Sequence, residues 1–266
     1  MNIIDEPENK LESLLRLAAS EPAHRPEFCK VLMQSPLLVL GESGDSLEGE
    51  KHLEEGSSLS IQHWEQDDGT SVIPVFTSLE TLQSSIESDE SYLEIPAQAL
   101  FEMTLGSILM LNPDSEYGKE FLPEEIESLL AGGIGQHAIE RTIEHQAEVM
   151  IGEPEHYPAL LVDSLTTLFS KHNNVKAAYL GMVHDPAQDE QPNLLIGLQG
   201  EGDLHAVIQE AGAVAWDTTD EEEVVDFMII EQGDEGIAEY FFNETKPFYD
   251  SRWGSKMEPY SEPGKA

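Results

Sequence analysis

The stretch 59–86 constrains the fold most, because it encodes two strands, a turn and a helix in immediate succession. Strand-like runs at 59–66 and 70–77 flank the triplet Asp67-Asp68-Gly69. Asp-Gly is typical of tight hairpin turns, since glycine adopts positive φ angles without steric conflict. The segment therefore predicts a β-hairpin that leads into a helix.

Two details refine this segment. Thr77 and Glu80 have the spacing of a capping box, in which the hydroxyl and the carboxylate each bind a backbone N–H at the helix start. Pro74 lies within the second strand and has no N–H to donate, so we expect an edge position or a bulge there.

Charge excludes several classes of partner. The chain has 13 Lys and Arg residues against 53 Asp and Glu, a formal net charge of -40 over 266 residues. Phosphate backbones and anionic membrane surfaces are repelled by such a chain, so nucleic acid and membrane are not expected as partners. The acidity has a second reading, as a hydrated surface suited to a saline environment with no specific partner.

Length and composition indicate two packed domains in a cytoplasmic protein. The apolar content of 39% is that of a globular chain, and the length exceeds that of one typical small domain. Cys29 is the single cysteine, which excludes an intramolecular disulfide and is compatible with a reducing cytosol. The acidic start MNIIDEPENK does not fit a signal peptide, and no later run is long enough to span a bilayer.

The first domain is predicted to be mixed α+β over residues 1–135. Apolar residues at i, i+3, i+4 and i+7 predict an amphipathic helix at 8–19, with Leu11, Leu14, Leu15 and Ala18 facing inward. Further helices are expected after Pro26, from 79 to 86, from 97 to 105 and from Pro123, and strands at 37–40, 92–95 and 107–111. The acidic, Gly- and Ser-rich segment 41–58 predicts a surface loop, and the glycines at 132–135 predict the domain boundary.

The second domain is predicted over residues 147–254 with the order β-α-β-β-α-β-α. Its strands are expected at 149–152, 175–183, 192–199 and 224–231, and its helices at 158–172, from Asp203 to Gly212, and at 236–246. Asp203 can cap its helix and Gly212 is expected to end it. This order predicts a ferredoxin-like split βαβ with one added helix.

Seven short runs, in order along nearly the whole chain, carry a family resemblance. They are EPAHRPEF (21–28), DGTSVIPVFTSLETLQ (68–83), LFEMTLG (100–106), KEFLPEEI (119–126), DSLTTLF (163–169), QPNLLIGL (191–198) and PFYDSRWG (247–254). In these runs the chain resembles the bacterial SseB family, named for enhanced serine sensitivity, with an N-terminal and a C-terminal SseB domain. The resemblance implies a cytoplasmic protein with a serine-related phenotype, and it carries no catalytic motif to any position.

Residues that could support catalysis or metal binding have simpler explanations. Cys29 could be a nucleophile, but FCKVLM places it in an amphipathic helix without a glycine loop, which favours a buried or half-buried thiol. His137 with Glu140, and His145 with Glu148, have helical i, i+3 spacing that could hold a metal, yet Arg141 between the pairs would repel it. The acidic run 220–223 lacks the glycine and spacing of a calcium loop. We therefore predict no cofactor and no metal.

Five residues are candidate binding residues. Arg25, with His24 before it, lies between two prolines and could capture a carboxylate of a ligand, although a carboxylate of the same fold is the commoner partner. Arg252 and Trp253 are an Arg-aromatic pair near the chain end, typical of binding hot spots but also of a tail that packs on its own domain. Trp64, in the hairpin, is the fifth candidate.

Three functions are compatible with these observations. The first is a non-enzymatic adaptor whose acidic face engages a basic protein partner. The second is a small-molecule sensor of serine or a related amino acid, since ferredoxin-like regulatory domains often bind such ligands. The third and least supported is an enzyme, because no nucleophile-base or acid-base arrangement is visible.

Overall fold

The computed structural model describes residues 9–43, 59–133, 149–186, 191–220 and 223–252. They form a mixed α+β protein, as predicted, with two compact units, Met1–Ile134 and Gly135–Ala266. Each unit has a sheet of its own.

The first unit contains five helices and seven strands within its described residues. In chain order these are α1 Lys10–Ser20, a 3-10 turn Pro22–His24, α2 Arg25–Gln34, β1 Pro36–Ser43, β2 Leu59–Ile61, β3 Trp64–Glu65, β4 Ser71–Phe76, α3 Leu79–Ser84, β5 Tyr92–Pro96, α4 Ala97–Met103, β6 Ile108–Leu111, β7 Lys119–Phe121 and α5 Pro123–Leu130. The sequence predicted most of these elements, but not β7 as a strand.

The sheet of the first unit is organised around β1 and β4. β1 pairs antiparallel with β2, β4 and β5, β4 pairs parallel with β6, and β6 pairs antiparallel with β7. One face of this sheet packs against α1, α2, α4 and α5 and forms the main core. The apolar stripe predicted for α1 is buried in this core. The other face carries a smaller cluster of Leu38, Leu40, Phe76 and Leu82 of α3.

The hairpin forms, but its first strand is divided. β3 pairs with β4 across the turn at Gly69, whose φ is +85°, whereas β2 pairs with β1. Gly41 permits this second pairing, because a Cβ at that position would lie 2.3 Å from the carbonyl oxygen of Ser60. The prediction of one continuous strand over 59–66 is therefore wrong.

Pro74 lies in β4, an interior strand, so the expected edge position is wrong. Its register partner is Met110 of β6. On the other side of β4, the register with β3 stops at Val72 and the register with β1 begins at Val75. The proline thus occupies the break between two partner strands, where a ladder donor is not needed.

The second unit contains three helices and five strands within its described residues. These are β8 Met150–Gly152, α6 Ala159–Ser170, β9 Val175–His184, β10 Asn193–Gly200, α7 His205–Trp216, β11 Val225–Ile229, α8 Ile237–Glu244 and β12 Tyr249–Asp250. Asp203 accepts hydrogen bonds from the N–H groups of His205 and Ala206 and so caps α7 as predicted. α7 continues past Gly212, because the buried run of alanine and valine that follows outweighs a glycine penalty of about 1 kcal/mol.

The prediction of a ferredoxin-like split βαβ is wrong. In a split βαβ unit, another strand lies between the two parallel strands that the helix joins. Here α7 joins β10 to β11, and these two strands are direct parallel neighbours. Their register runs from Leu194 opposite Val225 to Leu198 opposite Ile229. β8 and β9, joined by α6, are antiparallel neighbours. β12, which the sequence did not predict, pairs with β9 as well.

Helices cover both faces of this second sheet. Tyr249 of β12 pairs with Ala178, and its ring lies 5.9 Å from that of Phe169 in α6, so α6 covers the Ala178 face. α7 packs against α6. On the opposite face Tyr179 lies 5.9 Å from Phe241 of α8. The second unit is therefore a three-layer α/β/α arrangement.

Candidate functional site

The first unit contains a cleft beside β5 that we consider the candidate functional site. Its volume is about 170 Å³, and it is lined by Pro36 and Leu38 of β1, Tyr92 and Glu94 of β5, and the Thr77-Ser78-Leu79 segment. Two of the apolar side chains remain exposed, Leu79 by 45% and Tyr92 by 44%. The cleft thus offers apolar surface that the fold of this unit leaves uncovered.

The floor of the cleft follows from the antiparallel register of β1 and β5. Leu38 lies opposite Glu94, and Leu40 lies opposite Tyr92. Directly opposed residues project from the same sheet face, so the Tyr92 and Glu94 side chains project from the face that bears the smaller core cluster. Leu93 and Ile95 alternate to the other face and pack in the main core.

The wall of the cleft begins with a capping box that lies one residue later than predicted. Ser78 Oγ accepts a hydrogen bond from the Thr81 N–H at 3.2 Å, and the Ser78 N–H donates to Thr81 Oγ1 at 3.2 Å. The predicted pair of Thr77 and Glu80 is therefore wrong. The error has a physical cause, because Thr77 is engaged elsewhere.

Thr77 is held by a polar network at the carboxyl ends of the parallel strands β4 and β6. Its hydroxyl donates to Glu12 Oε1 at 2.6 Å and accepts from Asn112 Nδ2 at 2.9 Å, and its N–H donates to Asn112 Oδ1 at 3.0 Å. Asn9, the N-cap of α1, donates to the Thr77 carbonyl at 3.2 Å. The network joins α1 to both strand ends and so positions the cleft wall.

Asn112 makes this geometry possible. It is 2% exposed and has a φ of +49°, a left-handed conformation that asparagine tolerates better than most residues. Its side-chain amide accepts from the Thr77 N–H and donates to the Thr77 hydroxyl, so both ends of the amide have a partner. A buried polar residue of this kind is stable only because its hydrogen bonds are made.

The chain segment that supplies part of the cleft lining is acidic. Glu80, Glu87, Asp89, Glu90 and Glu94 are exposed in the segment that contains α3 and β5. Glu90 accepts a hydrogen bond from Gln62 at 3.1 Å. In the sequence, no lysine or arginine occurs between Lys51 and Lys119. The field around the cleft is therefore negative and is not neutralised by neighbours along the chain.

The lining combines apolar walls with hydroxyl groups and one carboxylate. The hydroxyls of Thr77 and Ser78 are engaged in the bonds given above, and Glu94 supplies the carboxyl group of the lining. None of the lining residues is His, Lys, Arg or Cys. A cleft with apolar walls and a carboxylate can accept an apolar side chain next to a cation.

The predicted residues His24 and Arg25 lie at the corner between α1 and α2. The Nε of Arg25 donates to the carbonyl oxygen of Ala18 at 3.2 Å, near the C-terminus of α1. Nε2 of His24 lies 3.3 Å from a Glu21 carboxylate oxygen. Arg25 therefore ties the two helices together.

Trp64 belongs to the small core cluster on the other sheet face. It is half-buried, and its ring meets that of Phe76 edge to face at 6.2 Å between centroids. His24 and Arg25 follow α1, a helix of the main core, so the structure does not bring these candidates together into one site.

Arg252 forms a bidentate pair with Asp250. Its Nε lies 3.0 Å from Oδ1 and its Nη2 lies 2.6 Å from Oδ2, and its backbone N–H also donates to Oδ1 at 3.0 Å. Asp250 is buried, and the hydrogen bonds from the Arg252 side chain hold the pKa of this carboxyl below its usual value. The pair closes the end of β12. Trp253 lies outside the described residues.

The remaining candidates do not assemble into a site within the described residues. Cys29 is half-buried in α2 and packs against the main core. Among the residues that the structure describes, no three His, Cys, Asp or Glu side chains are grouped to hold a metal. The predicted His137 and His145 pairs lie outside the described residues. In the acidic run, Glu223 donates its N–H to the Asp220 carbonyl, and residues 221–222 are not described.

Sequence reasoning missed Leu79, Tyr92 and Glu94 as site residues. The sequence predicts a helix from 79 to 86 and a strand at 92–95, but no site at either element. Two signals could have found them: the alternation in YLEIP, which places Tyr92 and Glu94 on one face, and the absence of lysine and arginine around that strand.

Two comparisons define the family. The SseB protein N-terminal domain matches residues 11–128, and the SseB protein C-terminal domain matches residues 143–251. The chain therefore belongs to the SseB family, as the resemblance in its sequence implied. It is 41% identical over 260 residues to Protein SseB of Escherichia coli (strain K12), which covers 97% of this chain and 98% of the relative. Protein SseB of Shigella flexneri matches with the same values. No solved structure matches the chain significantly.

No helix in the described parts of the chain is long and apolar enough to cross a membrane.

Proposed function

We propose that this SseB-family chain is a non-enzymatic cytoplasmic binding or adaptor protein that engages a basic protein partner. The serine-related phenotype that the family resemblance implies then depends on binding to this partner. The cleft of the first unit carries the proposal. It combines exposed apolar side chains, Leu79 and Tyr92, with carboxylates that have no lysine or arginine near them along the chain.

Complementary charge acts mainly on the rate and specificity of association. A negative surface attracts a positive partner over a Debye length, which is about 30 Å at 0.01 M salt and about 8 Å at 0.15 M salt. The apolar cleft then supplies contact area that charge alone does not provide.

The alternative function, a sensor of serine or a related amino acid, is less well supported by this cleft. A free amino acid needs a group for its ammonium and another for its carboxylate. Glu94 can bind the ammonium, but the lining has no cation for the carboxylate, and the hydroxyls of Thr77 and Ser78 are already hydrogen-bonded.

A salt series tests the proposal. The full-length protein is used as bait at about 0.01 M and about 0.15 M NaCl, with polyglutamate of similar charge as a control for nonspecific attraction. We expect the bait to retain a basic protein that the polyglutamate control does not retain. The affinity of this protein for the bait, measured again with purified protein, should fall at least tenfold at the higher salt concentration. Retention of the same proteins by polyglutamate, or a partner insensitive to salt, would contradict the proposal.

The same series applies to stability. Screening reduces repulsion among distant carboxylates, so the melting temperature should rise between these two salt concentrations. A flat or falling melting temperature would show that local pairing already neutralises the field, and the proposal would lose its physical basis. A rise with serine at constant salt would instead support the sensor.

A further inference from the structure

β5 lies at an edge of the first sheet. It pairs with β1 from Tyr92 opposite Leu40 to Pro96 opposite Pro36, and no other strand among the described residues pairs with it. Natural proteins protect such edges with lysine, proline or a covering element. Here Pro96 ends the strand and lysine is absent from it.

The hydrogen bonds to β1 show which peptide groups face outward. The Gly41 N–H donates to the Ser91 carbonyl at 3.0 Å, and the Ala97 N–H donates to the Ser35 carbonyl at 2.9 Å. Peptide groups alternate between the two sides of an antiparallel strand, so the odd-numbered residues of β5 face β1. Tyr92 and Glu94 therefore direct their N–H and carbonyl groups away from β1, toward the edge.

The outward peptide groups and the cleft belong to the same residues. The side chains of Tyr92 and Glu94 line the cleft together with Leu79. A strand added along β5 would place every second side chain on this same sheet face. One apolar side chain of that strand could enter the cleft and cover Leu79 and Tyr92.

Charge decides which strand can be added. Glu94 lies in this edge strand, Glu80, Glu87 and Asp89 are exposed in the segment that leads into it, and a second copy of this chain carries the same net charge of -40. Pairing of two copies edge to edge is therefore repulsive, whereas a segment with lysine or arginine is attracted.

We propose that β5 and its cleft bind an extended segment of the partner by β-strand addition, with lysine or arginine alternating with apolar residues and one apolar side chain in the cleft. This inference rests on the proposed function and specifies its partner. Backbone hydrogen bonds to Tyr92 and Glu94 hold the segment, and the cleft selects the side chain.

The probe is a capped peptide that alternates lysine and valine over eight residues. One control peptide has the same sequence with every second backbone amide methylated, which removes strand donors and keeps the charge. Another has the same composition with four lysines followed by four valines. We expect the full-length protein to bind the alternating peptide at least tenfold more tightly than either control at about 0.01 M NaCl.

Matched protein variants locate the site. Leu79→Ser should weaken binding of the alternating peptide at least tenfold, whereas Leu122→Ser should change it less than twofold. The two leucines are exposed to nearly the same extent, 45% and 43%, and Leu122 lies next to β7, away from β5 in the sheet order. The peptide should also slow hydrogen exchange of the Tyr92 and Glu94 amides at least tenfold.

The outcomes separate this inference from the proposed function. If all three peptides bind equally and with strong salt dependence, or if Leu79→Ser has no effect on binding, strand addition at β5 is overturned. The proposed function, binding of a basic protein partner, then still stands. If no basic peptide binds at low salt, both are overturned.

Discussion

The sheets of the two units differ in how their faces are covered. In the second unit, α8 packs on one face and α6 and α7 on the other, and two glycines bring Phe241 directly onto the strands. A Cβ at Gly181 would lie 2.9 Å from the Phe241 ring, and one at Gly197 would lie 2.8 Å from it. Such close packing leaves no room for a ligand at that interface.

In the first unit, by contrast, α1, α2, α4 and α5 all pack on one sheet face. The other face carries the six-residue helix α3 and the ring of Trp64, and the cleft lies at its β5 edge. The second sheet is therefore covered by helices on both faces, whereas the first sheet has one face that is covered only in part and is suited to binding.

The comparison predicts, first, a large difference in stability between two aromatic truncations. Phe241→Ala should lower the free energy of unfolding of the second unit by about 4 kcal/mol, because it removes a fully buried ring from a close-packed site. Tyr92→Ala should change that of the first unit by less than about 0.5 kcal/mol, since Tyr92 is 44% exposed. Hydrogen exchange measured by mass spectrometry in denaturant gives the free energy of unfolding of each unit separately. Similar losses for both variants would remove the contrast.

An intermediate effect is expected at the end of the second sheet. Arg252→Met should lower the free energy of unfolding by more than its control does, because it leaves the buried Asp250 carboxylate without its charged donor. Lys246→Met, which removes an equal charge at an exposed position of the same unit, is the control and should cost less than about 0.5 kcal/mol.

The pH dependence of this effect has a defined sign. Folding lowers the pKa of Asp250, so the pair contributes its full stability above the carboxyl's unfolded pKa of about 3.8 and loses it as the pH falls through the lower folded pKa. The difference between wild type and Arg252→Met should therefore shrink below about pH 4. Urea unfolding from pH 7 to pH 3 measures it, and a constant difference would argue against the ion pair.

A small effect is expected in the first unit, at Cys29. Cys29→Ser should cost at most about 1 kcal/mol and leave partner binding unchanged, because the side chain is half-buried and the change nearly conserves volume. Thermal melts and the binding assay above provide the measurements. A loss of function in a folded variant would reopen the enzyme interpretation.

Local signals were read correctly where one interaction controls the backbone. Asp-Gly predicted the turn at Gly69, and Asp203 predicted the start of α7. Prediction failed where a distant residue competes for the same group. Thr77 was expected to cap α3, but Asn112 and Glu12 bind its hydroxyl and leave the cap to Ser78.

The sequence by itself determined the α+β class, most of the helices and strands, the strong negative charge and the SseB family, since these depend on local periodicity, composition and short motifs. Tertiary structure decided the pairing of the strands, and with it the split of β2 from β3, the adjacent parallel pair β10 and β11, and the exposed edge of β5. Pairing joins residues far apart in the chain, and its free energy depends on which faces are buried together rather than on any one segment. For that reason the cleft at Leu79, Tyr92 and Glu94 became visible only in the folded protein.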